Sequence, residues 1–408
     1  MNSRRATVGK LGVAMTIAYA SSYYLPAILA VGMARTLGVT ASTVFLAFSA
    51  ALLASAVMGP FAGRLVDRHG GRIVLSCASG VFAAGLIALS FAQGPVSLFV
   101  AWLLIGVAMG AGFYEVAFAT LVRIYGATAR SSITGITLIA GFASTVGWPL
   151  TAWLDAELGW RAVCLVWAAV HLAVALPLNL MLPSGDHGSV MQAGGMQATR
   201  GTATADGRAM AAAIAPDVAA ATDAPANRST AWLLAFVFGA TWFVSTAMAA
   251  HLPAVLQANG VGLGAAIAFA SLVGPAQVAG RLLEYSLLRN VSPLWSARVA
   301  SVAHAVGAIA FLAVGVPAGV VFTVLHGMGS GIMTIANGTL PLLFFGPVGY
   351  GARQGLLMMP ARFAQALAPF IFGLALGEMG ASALWLSAGL GGAACIALMS
   401  LRVRVSQG

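Results

Sequence analysis

The chain has little charge for its length. Asp, Glu, Lys and Arg together make up 7% of its 408 residues, whereas soluble domains carry about a quarter charged residues. Hydrophobic residues account for 60% of the chain, and the mean hydropathy is +0.94. The shortage of charge excludes an ordinary soluble domain and predicts an integral membrane protein.

Cysteine is also scarce. The three cysteines, Cys77, Cys164 and Cys395, all lie in apolar runs, so the sequence predicts neither a disulfide framework nor a metal site. No nucleophile or phosphate-binding constellation is recognisable, and the glycines around Asp67 do not follow a strand as they would in a nucleotide-binding loop. We therefore predict no enzyme activity, no cofactor and no metal.

Long apolar runs fill the chain instead. Most exceed the roughly 20 residues needed to cross the hydrocarbon core as a helix, and they lack the period-two alternation of a membrane barrel. The predicted spans are 11–34, 41–63, 72–92, 97–120, 131–154 and 161–182, then 231–256, 262–285, 294–315, 318–342, 352–376 and 381–401. The predicted fold is an all-α membrane protein of 12 transmembrane helices.

The spans fall into two groups of six. We predict an N-terminal six-helix bundle over residues 1–182, a flexible cytoplasmic linker over 183–230 and a C-terminal six-helix bundle over 231–408. The linker is rich in Ala, Gly and Thr and almost free of aromatics, so it cannot bury enough apolar surface to fold. The halves also repeat, with Gly280 laid over Gly59 as the predicted register.

The net charge of +10 would suggest an anionic partner such as nucleic acid in a soluble protein, but here its position matters more. Arg4, Arg5 and Lys10 precede the first span, and later basic clusters recur after every second span. This is the positive-inside pattern. It predicts a multi-pass protein of a bacterial-type inner membrane with both termini in the cytoplasm. We expect the protein to contact the lipid bilayer and to bind no nucleic acid. The first apolar run lacks a small-residue cleavage site, so we expect it to be retained.

The stretch 59–75, GPFAGRLVDRHGGRIVL, joins the second and third spans. Its glycines at 59 and 63 share a helix face with the carboxylate at 67, a spacing that favours close helix approach. The stretch resembles the loop motif of the major facilitator superfamily of secondary transporters. The matching residues are Gly63, Asp67, Arg68, Gly70 and Arg72. The resemblance implies parallel six-helix halves with a site between them, and a gating role for these five residues.

Two further motifs resemble the same family. The sequence Gly-Trp-Arg at 159–161 recurs between the fifth and sixth spans of many members. Gly106, Gly110, Gly112 and Tyr114 are similar to the glycine-rich fourth helix of its monocarboxylate and oxalate/formate branch. Typical proton/drug antiporters of the family carry an arginine where this chain has Trp102, so drug antiport is less favoured.

Arginines at bilayer depth are the first candidates for substrate binding, because a charge there usually faces a cavity or a partner. Arg362 lies about ten residues into the eleventh span, and its guanidinium fork suits a carboxylate or another oxyanion. Arg281 lies in the eighth span, where the resemblance to the monocarboxylate and oxalate/formate branch implies a functional arginine. The alternatives are a structural pair of Arg362 with a carboxylate on another helix, and a pair of Arg281 with Glu284.

Glu115 and His326 are the candidates for proton coupling. Burial favours the protonated carboxyl of a glutamate, and histidine titrates near neutral pH. Glu115 could instead pair with an arginine, and a lone histidine is more often a packed, hydrogen-bonded residue. Tyr23 and Gln277 combine depth with polarity and are predicted to contact substrate, although aromatics in membrane helices more often pack or anchor.

These observations predict a secondary transporter that moves a small organic anion of carboxylate type by alternating access. Its partner is a small-molecule substrate, with a proton or a counter-anion as the coupling ion, as a symporter or an antiporter. One alternative is an efflux pump for drugs or a toxic oxyanion. An alternative of another class is a non-transporting membrane sensor or scaffold built on the same fold.

Overall fold

The computed structural model describes residues 2–125, 130–183, 228–286, 291–345 and 350–401. Within those ranges the chain is helical and contains no strand. Nearly all of the predicted linker, 183–230, lies outside the described residues, so the domain boundaries stay predictions.

The described residues of the first half form nine α-helices and two π-helical turns, Tyr19–Tyr23 and His171–Ala175. The helices are α1 (Asn2–Ala18), α2 (Pro26–Leu37), α3 (Ala41–His69), α4 (Gly71–Ser90), α5 (Pro95–Gly112), α6 (Tyr114–Tyr125), α7 (Arg130–Ala140), α8 (Ala143–Val170) and α9 (Leu176–Leu180).

The second half has seven α-helices over its described residues, with two 3₁₀ turns, Val316–Ala318 and Gly380–Ala383. The helices are α10 (Arg228–Ala258), α11 (Leu263–Ser271), α12 (Val273–Ser286), α13 (Pro293–Val314), α14 (Gly319–Phe345), α15 (Tyr350–Met379) and α16 (Leu384–Ser400). Helices dominate because a backbone in lipid must satisfy its hydrogen bonds within its own segment.

Ten described segments are long and apolar enough to cross a membrane. Two of them, 135–180 and 357–400, are 46 and 44 residues long, about twice the length that one crossing needs. Each contains a reversal of the chain, the first at Gly159 with φ of +75° and the second at the 3₁₀ turn Gly380–Ala383. Ten segments with two helical hairpins are consistent with the twelve predicted helices.

Large apolar side chains cover the outside of the helix assembly. Among the most exposed are Val57, Val96, Trp232 and Ile396, at 67% to 78% of their accessible surface. Soluble monomers rarely expose so much apolar surface. The surface is that of a protein surrounded by lipid along its helices, as the composition predicts for a multi-pass membrane protein.

Glycines set the same close helix crossing in both halves. In the first half, Cβ atoms added at Gly106 and Gly110 of α5 would collide with the backbones of Ala51 and Ser55 of α3. In the second half, Cβ atoms at Gly327 and Gly331 of α14 would collide with the backbones of Val273 and Gln277 of α12. In each half, two glycines four residues apart on one helix contact two residues four apart on the other helix. Both halves therefore contain a close helix crossing of the same kind.

These crossings do not fix the register of the repeat. A Cβ at Gly110 meets Ser55 and the side chain of Met58, and a Cβ at Gly327 meets Val273 and the side chain of Ala276. Gly327 is therefore matched as well by Gly110 as by Gly106, and the overlay of Gly280 on Gly59 stays a prediction.

Within the described residues the halves touch through several pairs of helices. The ring of Phe45 on α3 lies 3.9 Å from that of His251 on α10. Within the second half, Nε2 of His251 in turn contacts the carbonyl oxygen of Pro369 on α15 at 2.7 Å. Between α8 and α11, Thr145 Oγ1 donates a hydrogen bond to the carbonyl oxygen of Ser271 at 2.8 Å. These contacts hold the two bundles against each other and leave a cleft between them.

Candidate substrate site

An ion pair crosses the cleft. Arg362 Nη2 on α15 donates a hydrogen bond to Glu115 Oε1 on α6 at 2.7 Å, and the two side chains remain 46% and 56% exposed. Because the pair links the two halves, its exposed surface borders the space between them. An exposed ion pair contributes only about 0–1 kcal/mol, so another carboxylate could compete with Glu115 for the guanidinium.

A break in the fourth membrane segment positions Glu115. Helix α5 ends at Gly112, Phe113 adopts an extended conformation with φ of −95° and ψ of −172°, and α6 begins at Tyr114. Glu115 therefore stands in the first turn of a new helix, where the helix dipole favours a negative charge. The glycines that permit close packing of α5 thus precede a carboxylate that faces the cleft.

Aromatic rings line the cleft beside this ion pair. Tyr19 stacks on Phe113 with ring centroids 4.0 Å apart, and its ring lies 4.9 Å from that of Tyr114. Tyr23 packs edge-on against Tyr19 at 5.9 Å. The guanidinium of Arg362 therefore has a wall of tyrosine and phenylalanine near its carboxylate partner.

A small central cavity, with about 20 Å³ of space for the centre of a water molecule, lies between the halves. Its polar and aromatic lining consists of Tyr23, Tyr24, Trp148, Ser245, Gln277 and His326, drawn from both halves. The predicted contact residues Tyr23 and Gln277 are thus brought together, and they meet the coupling candidate His326 at the same cavity.

Tyr23 links the central cavity to the ion pair. Its hydroxyl forms a 2.9 Å hydrogen bond with Thr246 Oγ1 of the second half and also interacts with the side chain of Gln365. Gln365 follows Arg362 by three residues on α15, so the two share a helix face. The cavity and the arginine therefore belong to one cleft.

Arg281 lies between the halves but points to a backbone carbonyl. Its Nη1 donates a hydrogen bond to the carbonyl oxygen of Thr137 on α7 at 2.9 Å, and the Tyr114 hydroxyl interacts with its guanidinium. Its Nε is buried without a partner among the described residues. The alternative pair with Glu284 does not form within the described part of the chain.

We expect Arg281→Gln to loosen the contact between α7 and α12. Hydrogen bonds from charged groups contribute about 1.5–3 kcal/mol, which corresponds to about a tenfold shift or more in the equilibrium between closed and separated helices. The readout is the alkylation rate of a cysteine placed at Thr137 in a cysteine-free background, which should rise about tenfold.

Arg298→Gln is the matched control for this substitution. Arg298 also donates to backbone carbonyls, those of Leu398 and Leu401, but both acceptors belong to its own half. Its replacement should leave the alkylation rate at position 137 unchanged. Equal rates in the wild type and in Arg281→Gln would show that the Thr137 contact does not hold the helices together.

A second small cavity, again with about 20 Å³ of space for the centre of a water molecule, lies within the C-terminal half. It is lined by hydroxyl and amide groups that include Thr241, Ser245 and Thr334, together with His304. With the Asn337 amide oriented to satisfy its neighbours, its Oδ1 accepts a 3.0 Å hydrogen bond from Trp242 Nε1.

His326 is paired with a histidine that sequence reasoning missed. Its Nδ1 lies 3.1 Å from Nδ1 of His304 on α13, and both rings are buried, at 3% exposure each. His304 is a polar residue at bilayer depth, which is itself a signal. The sequence could not show that the faces of two neighbouring helices bring the two rings together.

The gating candidates lie around the turn between α3 and α4. Gly70 forms the turn with φ of +83°, and Arg123 of α6 donates a 2.6 Å hydrogen bond from Nη1 to the carbonyl oxygen of Val66 beside it. Arg68 and Arg72 are exposed. The side chain of Asp67 lies outside the described residues.

The predicted close approach at Gly59 and Gly63 is not seen in the described part of the chain. No atom there lies within 4 Å of a Cβ built at either glycine. The glycines that do permit close approach are those of α5 and α14. The small residues of the second span therefore leave space in this conformation, and the gating role of Gly63 stays a prediction.

Comparisons with known proteins give the family of the chain. A sequence model of the Major Facilitator Superfamily matches residues 11–317. An uncharacterized 38 kDa protein from Thermoproteus tenax is 27% identical over 372 residues, which cover 91% of this chain and 88% of that protein.

Two further similarities concern a relative of stated function and a solved fold. A gallate transporter of Pseudomonas putida is 34% identical over 137 residues, which span 33% of this chain and 30% of the transporter. A crystal structure of the nucleoside transporter NupG superimposes with a TM-score of 0.70 at 16% identity and covers 97% of this chain and 98% of that one. The structural likeness concerns the fold alone.

Proposed function

The chain belongs to the major facilitator superfamily and is a transporter and not an enzyme, and from this premise we propose that it carries a small aromatic carboxylate across the membrane by alternating access. The observation that supports this cargo is the exposed pair of Arg362 and Glu115 beside a wall of aromatic rings. A carboxylate can form two parallel hydrogen bonds with a guanidinium, and an aromatic ring can stack or pack edge-on against tyrosines.

Competition for one arginine is the core of the proposed mechanism. Without substrate, Glu115 neutralises Arg362 across the cleft at 2.7 Å. An incoming carboxylate takes the guanidinium and releases Glu115, which removes a bond between the halves. Substrate binding then has a differential effect on two conformations, as alternating access requires.

The aromatic character of the cargo has two supports. Tyr19, Tyr23, Tyr24 and Trp148 form a continuous series of ring contacts, with Trp148 Nε1 also donating to the carbonyl oxygen of Tyr24 at 3.1 Å. The gallate transporter that resembles part of the chain acts on a hydroxylated aromatic carboxylate by its name. Gln277 and the tyrosine hydroxyls are suited to hydroxyl groups on such a ring.

The proposal includes topology and gating. The positive-inside pattern supports a bacterial-type inner membrane with both termini in the cytoplasm. The loop residues Gly63, Asp67, Arg68, Gly70 and Arg72 would then lie on the cytoplasmic side and stabilise one closed state. A proton or a counter-anion would drive the cycle.

A ligand screen on the purified full-length protein tests the cargo. We expect gallate and benzoate to raise the temperature of unfolding, whereas succinate, phosphate and tetraphenylphosphonium should not. A ligand at 100 times its Kd adds about 2.7 kcal/mol to the stability of the folded state. The stabilisation should disappear in Arg362→Gln.

Other outcomes point to other functions. Stabilisation by tetraphenylphosphonium alone would contradict the carboxylate proposal and favour efflux of lipophilic cations. Stabilisation by succinate but not by benzoate would keep the anion and reject the aromatic ring. An undiminished response of Arg362→Gln to gallate would remove the arginine from the site.

A further inference from the structure

The inference concerns the two buried histidines, and it rests on the proposed function for its driving substrate. We propose that His304 and His326 form a proton relay between the C-terminal cavity and the central cavity. His304 lines the first cavity and His326 lines the second, and their Nδ1 atoms are 3.1 Å apart. The pair therefore joins the walls of the two cavities, which also share Ser245 of α10.

The hydrogen-bonding pattern of the pair permits a relay. In the neutral pair one Nδ1 carries a proton and the other accepts it, so one of the two Nε2 atoms carries a proton and the other is bare. A proton taken up by the bare Nε2 makes that ring an imidazolium. Transfer of the shared Nδ1 proton moves the charge to the other ring, which releases its own Nε2 proton to its cavity. One proton has then passed, and the tautomers of both rings have exchanged.

Packing alone does not require histidine at this place. His326 directly precedes Gly327 of its crossing. The residues that precede the crossing glycines of α5, Ile105 and Met109, are both fully buried. The first half fills the same position with an apolar side chain. A pair of histidines in the second half thus adds polarity that the fold does not need, and a buried polar group without a role is costly.

The histidine pair is the main group around the two cavities that can gain a proton. Across the central cavity stand Tyr23 and Tyr24, which are neutral phenols at physiological pH. Helices α10 and α12 contribute Ser245 and Gln277 to the cavities, and α16 meets α13 with Gly391.

The nearest described cation on α12 is Arg281, one turn beyond Gln277, where it binds the carbonyl oxygen of Thr137. A cation on this side favours the neutral pair until a negative charge arrives. An anionic substrate in the same cleft would supply that charge. The arrangement thus links binding of a carboxylate to uptake of a proton.

Proton-driven transport in proteoliposomes tests the relay. Gallate counterflow needs no net proton movement, whereas accumulation of gallate against its gradient under an imposed pH difference does. We expect His304→Gln, whose ring does not line the central cavity, to keep counterflow and to lose accumulation. The control is His171→Gln, since His171 is likewise buried and bonded to one side chain, Ser21 at 2.8 Å, but lies in the first half. It should keep both activities.

Each result decides one claim. Undiminished accumulation in His304→Gln, or loss of counterflow together with accumulation, would overturn the relay. Absence of gallate counterflow in the wild type would contradict the proposed cargo instead. Infrared difference spectra of the solubilised full chain with and without bound gallate, at about pH 6, then test the pair itself. An imidazolium band that appears in the wild type when gallate binds, and not in His304→Gln, supports the relay, and bound gallate without this band overturns it.

Discussion

Arg362→Gln is expected to weaken the binding of aromatic carboxylates strongly while the protein stays folded. Hydrogen bonds to charged groups contribute about 1.5–3 kcal/mol, so the Kd should rise about tenfold or more. The side chain is 46% exposed, and its replacement leaves no cavity in a packed core. Isothermal titration with gallate measures the effect.

Two related substitutions sharpen this test. Arg362→Lys keeps the charge but loses the planar fork, so its affinity should fall between those of the wild type and Arg362→Gln. Glu115→Gln removes the competitor of the substrate and should tighten the binding of gallate. A weaker affinity for gallate in Glu115→Gln would contradict this competition. It would show that Glu115 helps to bind the substrate carboxylate and does not compete with it for Arg362.

Gly106→Val and Gly331→Val are expected to prevent the halves from folding. A Cβ at Gly106 would overlap the backbone of Ala51, and one at Gly331 would overlap the backbone of Gln277. A backbone cannot move aside like the end of a flexible side chain. Overpacking alone costs about 1–3 kcal/mol or more, and here two helices must separate. Size-exclusion chromatography should show aggregated protein.

The chain provides matched controls for these glycines. A Cβ at Gly80 of α4 or at Gly389 of α16 meets no described atom within 4 Å, so Gly80→Val and Gly389→Val should change stability by no more than about 0.5 kcal/mol. Monodisperse protein from Gly106→Val with an unchanged unfolding temperature would show that the α3–α5 crossing tolerates separation. Close approach of the helices at this crossing would then contribute little to the stability of the protein.

Much of the fold follows from the sequence because the membrane imposes it. Runs of about 20 apolar residues must be helices in lipid. The place of close helix approach could not be read in this way, because glycine spacing predicted it at Gly59 and Gly63, whereas the described helices meet closely at the glycines of α5 and α14. Which glycines face a neighbour depends on how each helix is rotated within the bundle.

The site was predicted in its parts, and the pairing of its charges was predicted only as an alternative. Arg362 was expected to bind substrate or to pair with a carboxylate on another helix, and Glu115 to carry a proton or to pair with an arginine; the two form an ion pair. Which two charges meet depends on how the bundles dock across the cleft. The same holds for His326, whose partner His304 lies on the neighbouring helix 22 residues away. Depth along a helix can be counted from a sequence, whereas the direction of a side chain around the helix depends on its neighbours.

Uptake of radiolabelled gallate into proteoliposomes tests the central claim most directly. The wild-type protein should accumulate gallate above the level of empty liposomes, excess unlabelled benzoate should compete, and Arg362→Gln should show no uptake above background. Uptake by Arg362→Gln equal to that of the wild type, or no uptake of any aromatic carboxylate by the folded wild type, would contradict the account.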